Sequence, residues 1–415
     1  MATEILTPLA PETHKQAFLP FSAPWFGDEE KNEILKTLDS DWITTGPRTK
    51  AFEAKFADYI GTGEAVAVSS CTAALHLALA AIGVSPRDAV ITSPLTFAAT
   101  ANVIVHQGAQ PIFVDIDPDT YNLDPDKLVT FIQQQCRWDP RNRALWTKKT
   151  NKRVRAIIPV HYAGHPCDMD RINACAREFR MTVIEDAAHA LGATSRGRKV
   201  GTLGDMACFS FYPTKNISTG EGGMLTTQDP ELAQRIRVLS LHGISRDAWK
   251  RYGQDGSWRY DILDAGFKYN MTDLSAALGI HQLEKLPRFL KRRVEIAEQY
   301  PRLLADLPLK LPTALPHTES AWHLYPVQVR SSWVSRDQLI ATLRADNIGT
   351  SVHFIPLHLM SYYQRRFGYK TGDFPVAESV FNRIVSLPFF PRMTDSDVER
   401  VGFAMRKVFV ESVAA

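Results

Sequence analysis

Residues 182–186 (TVIED) and 206–215 (MACFSFYPTK) decide the fold, because each is a short apolar run that ends on polar residues. Further runs of this kind lie at residues 65–69 (AVAVS), 89–92 (AVIT), 111–115 (PIFVD), 155–160 (RAIIPV) and 223–227 (GMLTT). Helix-length amphipathic stretches separate them. Continuous apolar runs that alternate with helices are typical of a mainly parallel sheet covered on both faces. The sequence therefore predicts an α/β fold.

The pattern changes after about residue 266, where helical stretches alternate with few strand-like pieces. We expect three parts: a Pro-rich N-terminal arm at residues 1–24, a large α/β domain at residues 25–265, and a smaller α+β domain at residues 266–415. The helical stretches 272–286 and 289–304 are predicted as two helices. Residues 134–155 hold eight Lys or Arg against one Asp, and we interpret them as an exposed basic insertion in a connection.

Composition excludes several classes of protein. Of the 415 residues, 45% are hydrophobic and 22% charged, which excludes a mainly disordered chain. A formal net charge of +3 is too small to indicate a nucleic-acid or membrane-surface partner. The five cysteines form no C-x-x-C pair, so we expect reduced thiols and no metal site. The first 30 residues lack the basic and apolar regions of a signal peptide, so we expect a cytoplasmic protein.

Polar residues follow several of the predicted strands, at the sheet edge where α/β proteins bind ligands. Ser70, Cys71 and Thr72 follow residues 65–69 and open a helix, whose free N–H groups and dipole attract anions. Asp186 ends another strand, where a buried carboxylate needs a cation or several hydrogen-bond donors. Lys215 follows residues 206–212 and is a candidate nucleophilic amine. Each of these features also has a structural interpretation: a helix N-cap, a satisfied core group or a solvated charge.

Taken together, these residues describe one ligand, pyridoxal 5'-phosphate. Thr72 and Ser210 would hold its phosphate, and Phe97, which follows residues 89–92, would cover its ring. Asp186 would face its ring nitrogen and Lys215 its aldehyde. No phosphate loop of the G-x-x-x-x-G-K-[ST] type and no dinucleotide fingerprint occurs in the sequence.

The sequence resembles the DegT/DnrJ/EryC1/StrS family of pyridoxal-phosphate-dependent nucleotide-sugar aminotransferases, which have the aspartate aminotransferase fold (fold type I). The resemblance runs from about Phe21 to the C-terminus. It rests on the number, order and spacing of segments at residues 42–47 (WITTGP), 70–75 (SCTAAL), 159–164 (PVHYAG), 185–190 (EDAAHA), 210–216 (SFYPTKN), 268–273 (KYNMTD) and 353–358 (HFIPLH).

The resemblance implies roles for individual residues. Lys215 binds the cofactor's aldehyde covalently, Asp186 pairs with the ring nitrogen and Phe97 stacks on the ring. The phosphate is held by Cys71, Thr72 and Ser210. His189 stands where many members have Gln near the ring oxygen. In many relatives a homodimer shares its active sites through an Asn of the second subunit, which here is matched by Asn270 or Lys268.

The resemblance also implies a reaction. L-Glutamate donates the amino group and leaves as 2-oxoglutarate. The acceptor is the keto sugar of a nucleotide diphosphate, at C4 (a UDP- or dTDP-4-keto-6-deoxy sugar or a 4-keto pentose), with C3 as the alternative within the family. A cofactor-binding regulator without turnover is the alternative from another class; it would suit the loss of Lys215 or Asp186, and both are present.

Substrate contacts are expected from two sources. Residues 242–260 carry cations that we expect to bind the diphosphate, with a solvated basic loop as the alternative; they are Arg246, Lys250, Arg251 and Arg259. The remaining candidates for contacts with the sugar are His161, Tyr162, Tyr325, His353 and His358.

Overall fold

A computed structural model gives the structure of residues 17–245 and 259–414, with side chains as far as residue 409. The expected cations Arg246, Lys250 and Arg251 lie outside the described residues. The described helices are α1 (Asp28–Leu38), α2 (Pro47–Ile60), α3 (Cys71–Ala81), α4 (Ala98–His106), α5 (Pro125–Gln135), α6 (Met169–Phe179), α7 (Pro230–Ser240), α8 (Asp273–Leu304), α9 (Arg336–Ala345), α10 (Ser361–Phe367), α11 (Pro375–Phe381) and α12 (Asp395–Ala414).

The described strands form three sheets. They are β1 (Glu64–Val68), β2 (Asp88–Thr92), β3 (Gln110–Phe113), β4 (Cys136–Asp139), β5 (Ala144–Thr147), β6 (Arg153–Ile158), β7 (Thr182–Asp186), β8 (Thr194–Ser195), β9 (Arg198–Lys199), β10 (Met206–Ser210), β11 (Gly223–Thr227), β12 (Leu309–Lys310), β13 (Thr318–Glu319), β14 (Tyr325–Val329) and β15 (Ile384–Leu387).

The large sheet has the strand order β1-β11-β10-β7-β6-β2-β3. Strands β10, β7, β6, β2 and β3 run parallel, whereas β11 is antiparallel to both of its neighbours. Alternate residues of one strand enter different cores: Val183 packs on the side of α2, α5 and α6, and Ile184 packs on the side of α3 and α7. Both faces are therefore covered, and the prediction of a mainly parallel, two-faced sheet is confirmed.

The C-terminal part has its own small sheet and core. Strands β12, β14 and β15 form an antiparallel sheet, and helices α9 and α12 pack in the same hydrophobic cluster. Helix α8 joins the two cores, because Leu286 belongs to the large one and Ile296 to the small one. Helix α8 thus contributes its N-terminal part to the large core and its C-terminal part to the small one. Leu19, in the expected N-terminal arm, packs in the small core.

Two sequence expectations differ from the structure. Residues 272–286 and 289–304 were expected to be two helices, but α8 is one helix of 32 residues that contains Pro287. Packing on both cores outweighs the backbone hydrogen bond that a proline removes. The basic insertion is a hairpin of β4 and β5, and β5 pairs with Arg153 at the amino end of β6. It therefore lies away from the carboxyl ends of the parallel strands.

The described residues also bear on membranes and metals. Among residues 17–245 and 259–414, no helix combines the length and apolar character needed to cross a bilayer. The same residues contain no group of three His, Cys, Asp or Glu side chains arranged to hold a metal ion. All five cysteines are buried, free thiols.

Candidate active site

The polar residues that follow the strands meet at one edge of the large sheet. Strands β7 and β10 are parallel neighbours, with Asp186 in register with Cys208, so both chains emerge at the same edge. Ser210 ends β10 and lies opposite Gly223 of β11. Strand β1, on the other side of β11, leads directly into α3. The start of α3, Asp186 and the turn that carries Lys215 are therefore brought together by the sheet.

Asp186 is buried with few hydrogen-bond donors. Its Oδ2 accepts from the hydroxyl of Thr100 on α4 at 2.7 Å, and its Oδ1 accepts from the N–H of Ala188 at 3.2 Å. Burial raises the pKa of Asp186, while these two donors and the amine of Lys215 act in the opposite direction. A protonated ring nitrogen would supply the cation that this carboxylate lacks.

Glu185 points to the opposite face of the sheet and has a full set of partners. Its Oε1 accepts from the N–H groups of Leu203 at 2.9 Å and Gly204 at 2.8 Å. Its Oε2 accepts from the N–H of Gly201 at 3.2 Å and lies 3.0 Å from His161 Nε2. These contacts satisfy the carboxylate within the fold, so Glu185 has a structural role.

Lys215 lies in the turn after β10, where its N–H donates to the carbonyl of Tyr212 at 2.8 Å. The turn is anchored by the neighbouring Asn216, whose amide donates to two carbonyls from other parts of the chain. Burial lowers the pKa of the Lys215 amine to about 8, although Cys71 and Asp186 act in the opposite direction. An amine with this pKa is neutral, and hence nucleophilic, in a much larger fraction at neutral pH than an ordinary lysine.

The start of α3 forms a cradle suited to a phosphate. The Ser70 hydroxyl caps the helix by accepting from the N–H of Ala73 at 3.0 Å, which leaves the N–H groups of Cys71 and Thr72 without an intrahelical partner. Gly223 lies so close that an added Cβ would stand 2.4 Å from the carbonyl carbon of Ser70. The residues predicted to bind phosphate therefore converge here.

The thiol of Cys71 points away from this cradle. It donates to the carbonyl of Cys208 at 3.4 Å, and burial raises its pKa well above the ordinary value. Only the backbone N–H of Cys71 is therefore available to a phosphate.

Phe97 and His189 are the two further residues expected near the cofactor ring, and the ring of Phe354 lies close to both of them. Phe97 precedes α4 and is 65% exposed, which is unusual for a phenylalanine and leaves its ring free to cover a flat ligand. Nδ1 of His189 accepts from the N–H of Ala163 at 3.3 Å, so the proton of the neutral ring is on Nε2. A buried carboxylate, an exposed aromatic ring, a neutral amine and a cradle of N–H groups fit pyridoxal phosphate.

His353 and Tyr162 lie beside this group of residues. The Tyr162 hydroxyl donates to the carbonyl of His353, and His353 Nδ1 lies 2.9 Å from the hydroxyl of Ser386. Burial, followed by the nearby Lys215, lowers the pKa of His353 to about 4. The ring of Phe354 packs near those of Phe97 and His189, with centroids 6.0 Å and 5.9 Å away.

Three expected substrate contacts have interior partners instead. His161 is fully buried, its Nε2 faces Glu185, and its Nδ1 accepts from the N–H of Cys167 at 3.0 Å. Tyr325 is buried in the small core, with its ring 4.7 Å from that of Tyr300. His358 is buried, and its Nε2 lies 2.8 Å from Glu378. These contacts correct our expectation, because none of the three side chains reaches the site.

The remaining expected residues lie at the surface. Arg259 is exposed, and it is the first residue of the second described range, residues 259–414. Asn270 bridges to Val68 through its backbone, and its amide donates to the Thr45 hydroxyl at 2.6 Å. Asn270 lines a groove of about 820 Å³ together with Trp42 and Thr45, whereas Lys268 is exposed.

Sequence reasoning missed three residues near the cofactor site: Thr100, His323 and Phe354. Thr100 lies in the first turn of α4, three residues after Phe97, and this spacing is the sequence signal that could have identified it. His323 is buried, and its ring centroid lies 4.3 Å from that of His189. No local pattern distinguishes His323 or Phe354 from core residues.

Comparison with known proteins identifies the family. The model of the DegT/DnrJ/EryC1/StrS aminotransferase family matches residues 24–406. An uncharacterized protein of Methanocaldococcus jannaschii is 52% identical over 401 residues, which cover 96% of this chain and 99% of that protein. The spore coat polysaccharide biosynthesis protein SpsC of Bacillus subtilis is 49% identical over 396 residues, which cover 94% of this chain and 97% of SpsC.

Solved structures agree with this match. Spr1654 of Streptococcus pneumoniae, whose name assigns it as a sugar aminotransferase, superposes in its pyridoxamine-phosphate form with a TM-score of 0.85 and 33% identity, covering 96% of this chain and 99% of that one. Its pyridoxal-phosphate form gives the same TM-score and identity. The predicted type I fold, enzyme class and cofactor are thereby confirmed, and a regulator without turnover is not supported. The chain belongs to the DegT/DnrJ/EryC1/StrS aminotransferase family, whose members depend on pyridoxal phosphate.

Proposed function

We propose that this sugar aminotransferase transfers the amino group of L-glutamate to a 4-keto sugar carried by a nucleotide diphosphate, in the biosynthesis of a polysaccharide. The observation that carries the chemistry is the convergence of Lys215 and Asp186 at one sheet edge, with the pKa of the amine lowered to about 8. The name of SpsC links a close relative to the polysaccharide of the spore coat. Residues 268–273 and 353–358 resemble members that aminate C4, which favours C4 over C3.

Each residue has a defined task in this proposal. The Asp186 carboxylate holds the proton on the ring nitrogen of pyridoxal phosphate, which when bound supplies an aldehyde and an electron sink. With the cofactor bound, the neutral amine of Lys215 would hold its aldehyde carbon, and the same amine would be the base that moves the α-proton of the amino donor. The helix start at Cys71 and Thr72 and the hydroxyl of Ser210 hold the phosphate.

The site walls near Lys215 suit the uncharged, hydroxylated sugar of the proposed substrate. Phe354 and the neutral ring of His353 border the space near Lys215. Rings of this kind offer an apolar surface and single hydrogen bonds, which is how proteins orient small polar ligands. We therefore propose His353 as the residue that borders the sugar and Arg259 as a contact for the diphosphate. Tyr162 is fully buried, and its hydroxyl donates to the carbonyl of His353, so it would position His353 rather than contact the sugar.

A panel of nucleotide sugars tests the substrate. The purified holoenzyme is incubated with glutamate and either 4-keto or 3-keto forms of UDP- and dTDP-sugars, and 2-oxoglutarate release and the mass of the aminated sugar are measured. We expect amination of a 4-keto sugar. Turnover restricted to 3-keto sugars would contradict the C4 proposal and leave the family assignment intact.

Borohydride reduction tests the role of Lys215. It should fix a pyridoxyl group on Lys215 in the wild type and in the control variant Lys149→Ala, which removes an exposed lysine of the basic hairpin. The Lys215→Ala variant should not be labelled. Because the amine must be neutral to attack, the rate at which the apoenzyme acquires the reducible cofactor should rise as the pH passes through about 8. Labelling of another lysine would refute the assignment.

We also propose a homodimer in which Asn270 reaches the partner's phosphate site. Asn270 is half-buried beside the large groove at Trp42 and Thr45, next to the strand that leads into the phosphate cradle. Lys215→Ala and Asn270→Ala should each be inactive alone and should regain activity when mixed as heterodimers, since one of the two sites is then intact. Failure of heterodimers that demonstrably form would indicate sites built from one chain.

A further inference from the structure

His323 is a buried residue to which the chemistry above gives no task. It lies in the connection before β14, its side chain is 3% exposed, and its Nδ1 has no hydrogen-bond partner in the described part of the chain. Its ring centroid lies 4.3 Å from that of His189, at an angle of 44°. Two imidazoles are thus in contact, in a tilted arrangement, beside the candidate cofactor site.

One turn of backbone fixes these two rings relative to each other. The N–H of Ala163 donates to His189 Nδ1, while the carbonyl of Ala163 accepts from the backbone N–H of His323 at 2.9 Å. The next residue, Gly164, has φ +94°, and a Cβ there would stand 2.9 Å from both the His189 carbonyl oxygen and the His323 nitrogen. The glycine therefore permits the close approach of both chain segments.

The surroundings of the pair disfavour a positive charge on either ring. Burial lowers the pKa of both His189 and His323 well below the ordinary value, and Lys215, from the turn after β10, adds to the effect. Two further groups face the pair: His353, from the connection before α10, and, on the His323 side, Arg293 of α8. Arg293 is itself buried and donates to the carbonyl of His323 at 3.2 Å.

The hydrogen bonds also select one tautomer of His189. Nδ1 accepts from Ala163, so the single proton of the neutral ring is on Nε2. Nε2 has no hydrogen-bond partner among the described residues and is not among their fully buried, unpartnered atoms. This N–H is therefore available to a ligand near Lys215, whose charge acts on the same ring.

We propose that His323 is a positioning residue for His189: its uncharged ring packs against the His189 ring, excludes water and keeps the Nε2–H of His189 as a neutral donor to the ring oxygen of the cofactor. The proposal rests on the placement of the cofactor proposed above. In this arrangement the oxygen receives a hydrogen bond without an adjacent full positive charge. In this proposal, the packing of the His323 ring keeps His189 uncharged, and the unpartnered nitrogen of His323 has no part in it.

Absorbance titration of the bound cofactor tests the proposal. In His323→Ala, water can fill the vacated space, so His189 should titrate near its ordinary pKa of about 6.5 and produce a new spectral transition there. The wild type and His323→Phe, which retains a ring, should lack this transition, and so should the double variant His323→Ala with His189→Gln. A titration of His323→Ala like that of the wild type, its appearance in His323→Phe, or its persistence in the double variant would each overturn the proposal.

A second measurement needs no variant at position 323. In the wild-type holoenzyme labelled with ¹⁵N-histidine, the ring signals of His189 are identified by their loss in His189→Gln. They should report a neutral ring with its proton on Nε2 between about pH 5.5 and 8.5. A charged ring, or a proton on Nδ1, would overturn the proposal even if His323→Ala does not fold. If the proposed function itself is wrong, borohydride reduction should label a lysine other than Lys215. That result is distinct from every outcome of the two histidine experiments.

Discussion

Glu185 and Asp186 are neighbours in sequence and both are buried, yet their carboxylates differ in the number of hydrogen bonds they accept. Glu185, on the side of α2 and α6, has four hydrogen-bond partners, three of them backbone N–H groups. Asp186 lies on the side of α3 and α4. Among the described residues it accepts from two donors, the hydroxyl of Thr100 and the backbone N–H of Ala188. A buried carboxylate with a full set of donors stabilises the fold, whereas one with an incomplete set is available to a ligand.

Asp186→Asn should have the largest effect on turnover. The amide has nearly the same shape, so the variant should fold and bind cofactor, but it cannot hold a proton on the ring nitrogen. We expect kcat to fall by about 10³-fold, because removal of one electrostatic contact to the transition state typically lowers kcat by about this factor. Steady-state kinetics measure this effect, and near-normal turnover would show that Asp186 does not face the ring nitrogen.

Glu185→Gln is the matched control on the other face of the strand. In the wild type, backbone N–H groups donate to both carboxylate oxygens. In the variant, the NH₂ of the new amide would face some of these N–H donors, so we expect the free energy of unfolding to fall by about 3 kcal/mol. Urea unfolding of the apoenzyme measures this loss. Turnover per folded molecule should change little. A large fall in kcat without a loss of stability would mean that the two acids do not have separate roles.

Thr100→Val should have the smallest effect of the three. It preserves the shape of the side chain but removes the shorter hydrogen bond to Asp186, and a hydrogen bond to a charged group corresponds to about tenfold in rate. Thr96→Val is the control, because Thr96 contacts the hydroxyl of Thr100 and not the carboxylate. Equal values of kcat for the two variants would argue against a role of Thr100 in holding Asp186.

The same contrast explains how much of the site the sequence could predict. The sequence predicts Lys215 and Asp186 as site residues because each follows an apolar run and because parallel strands bring such positions to one edge of the sheet. The family resemblance then supplied roles for Phe97 and His189. These inferences need only the order of strands and the chemistry of single residues.

The partners of buried side chains could not be predicted in this way. His161 and His189 both follow strands of the sheet, but His161 has an interior partner on each nitrogen and His189 on only one. These partners are backbone N–H groups or side chains of distant segments. Neither the composition of the sequence nor its periodicity predicts such hydrogen bonds. Likewise, α8 continues through Pro287 because both of its ends pack on separate cores.

Thr72, Asp186 and Lys215 come from three distant parts of the chain and meet only when the large sheet is complete. A molecule that touches all three can bind the native protein but not the unfolded chain. At 100 times its dissociation constant such a ligand adds about 2.7 kcal/mol to stability. In the proposed site, pyridoxal phosphate is such a molecule, so we expect the holoenzyme to withstand heating better than the apoenzyme.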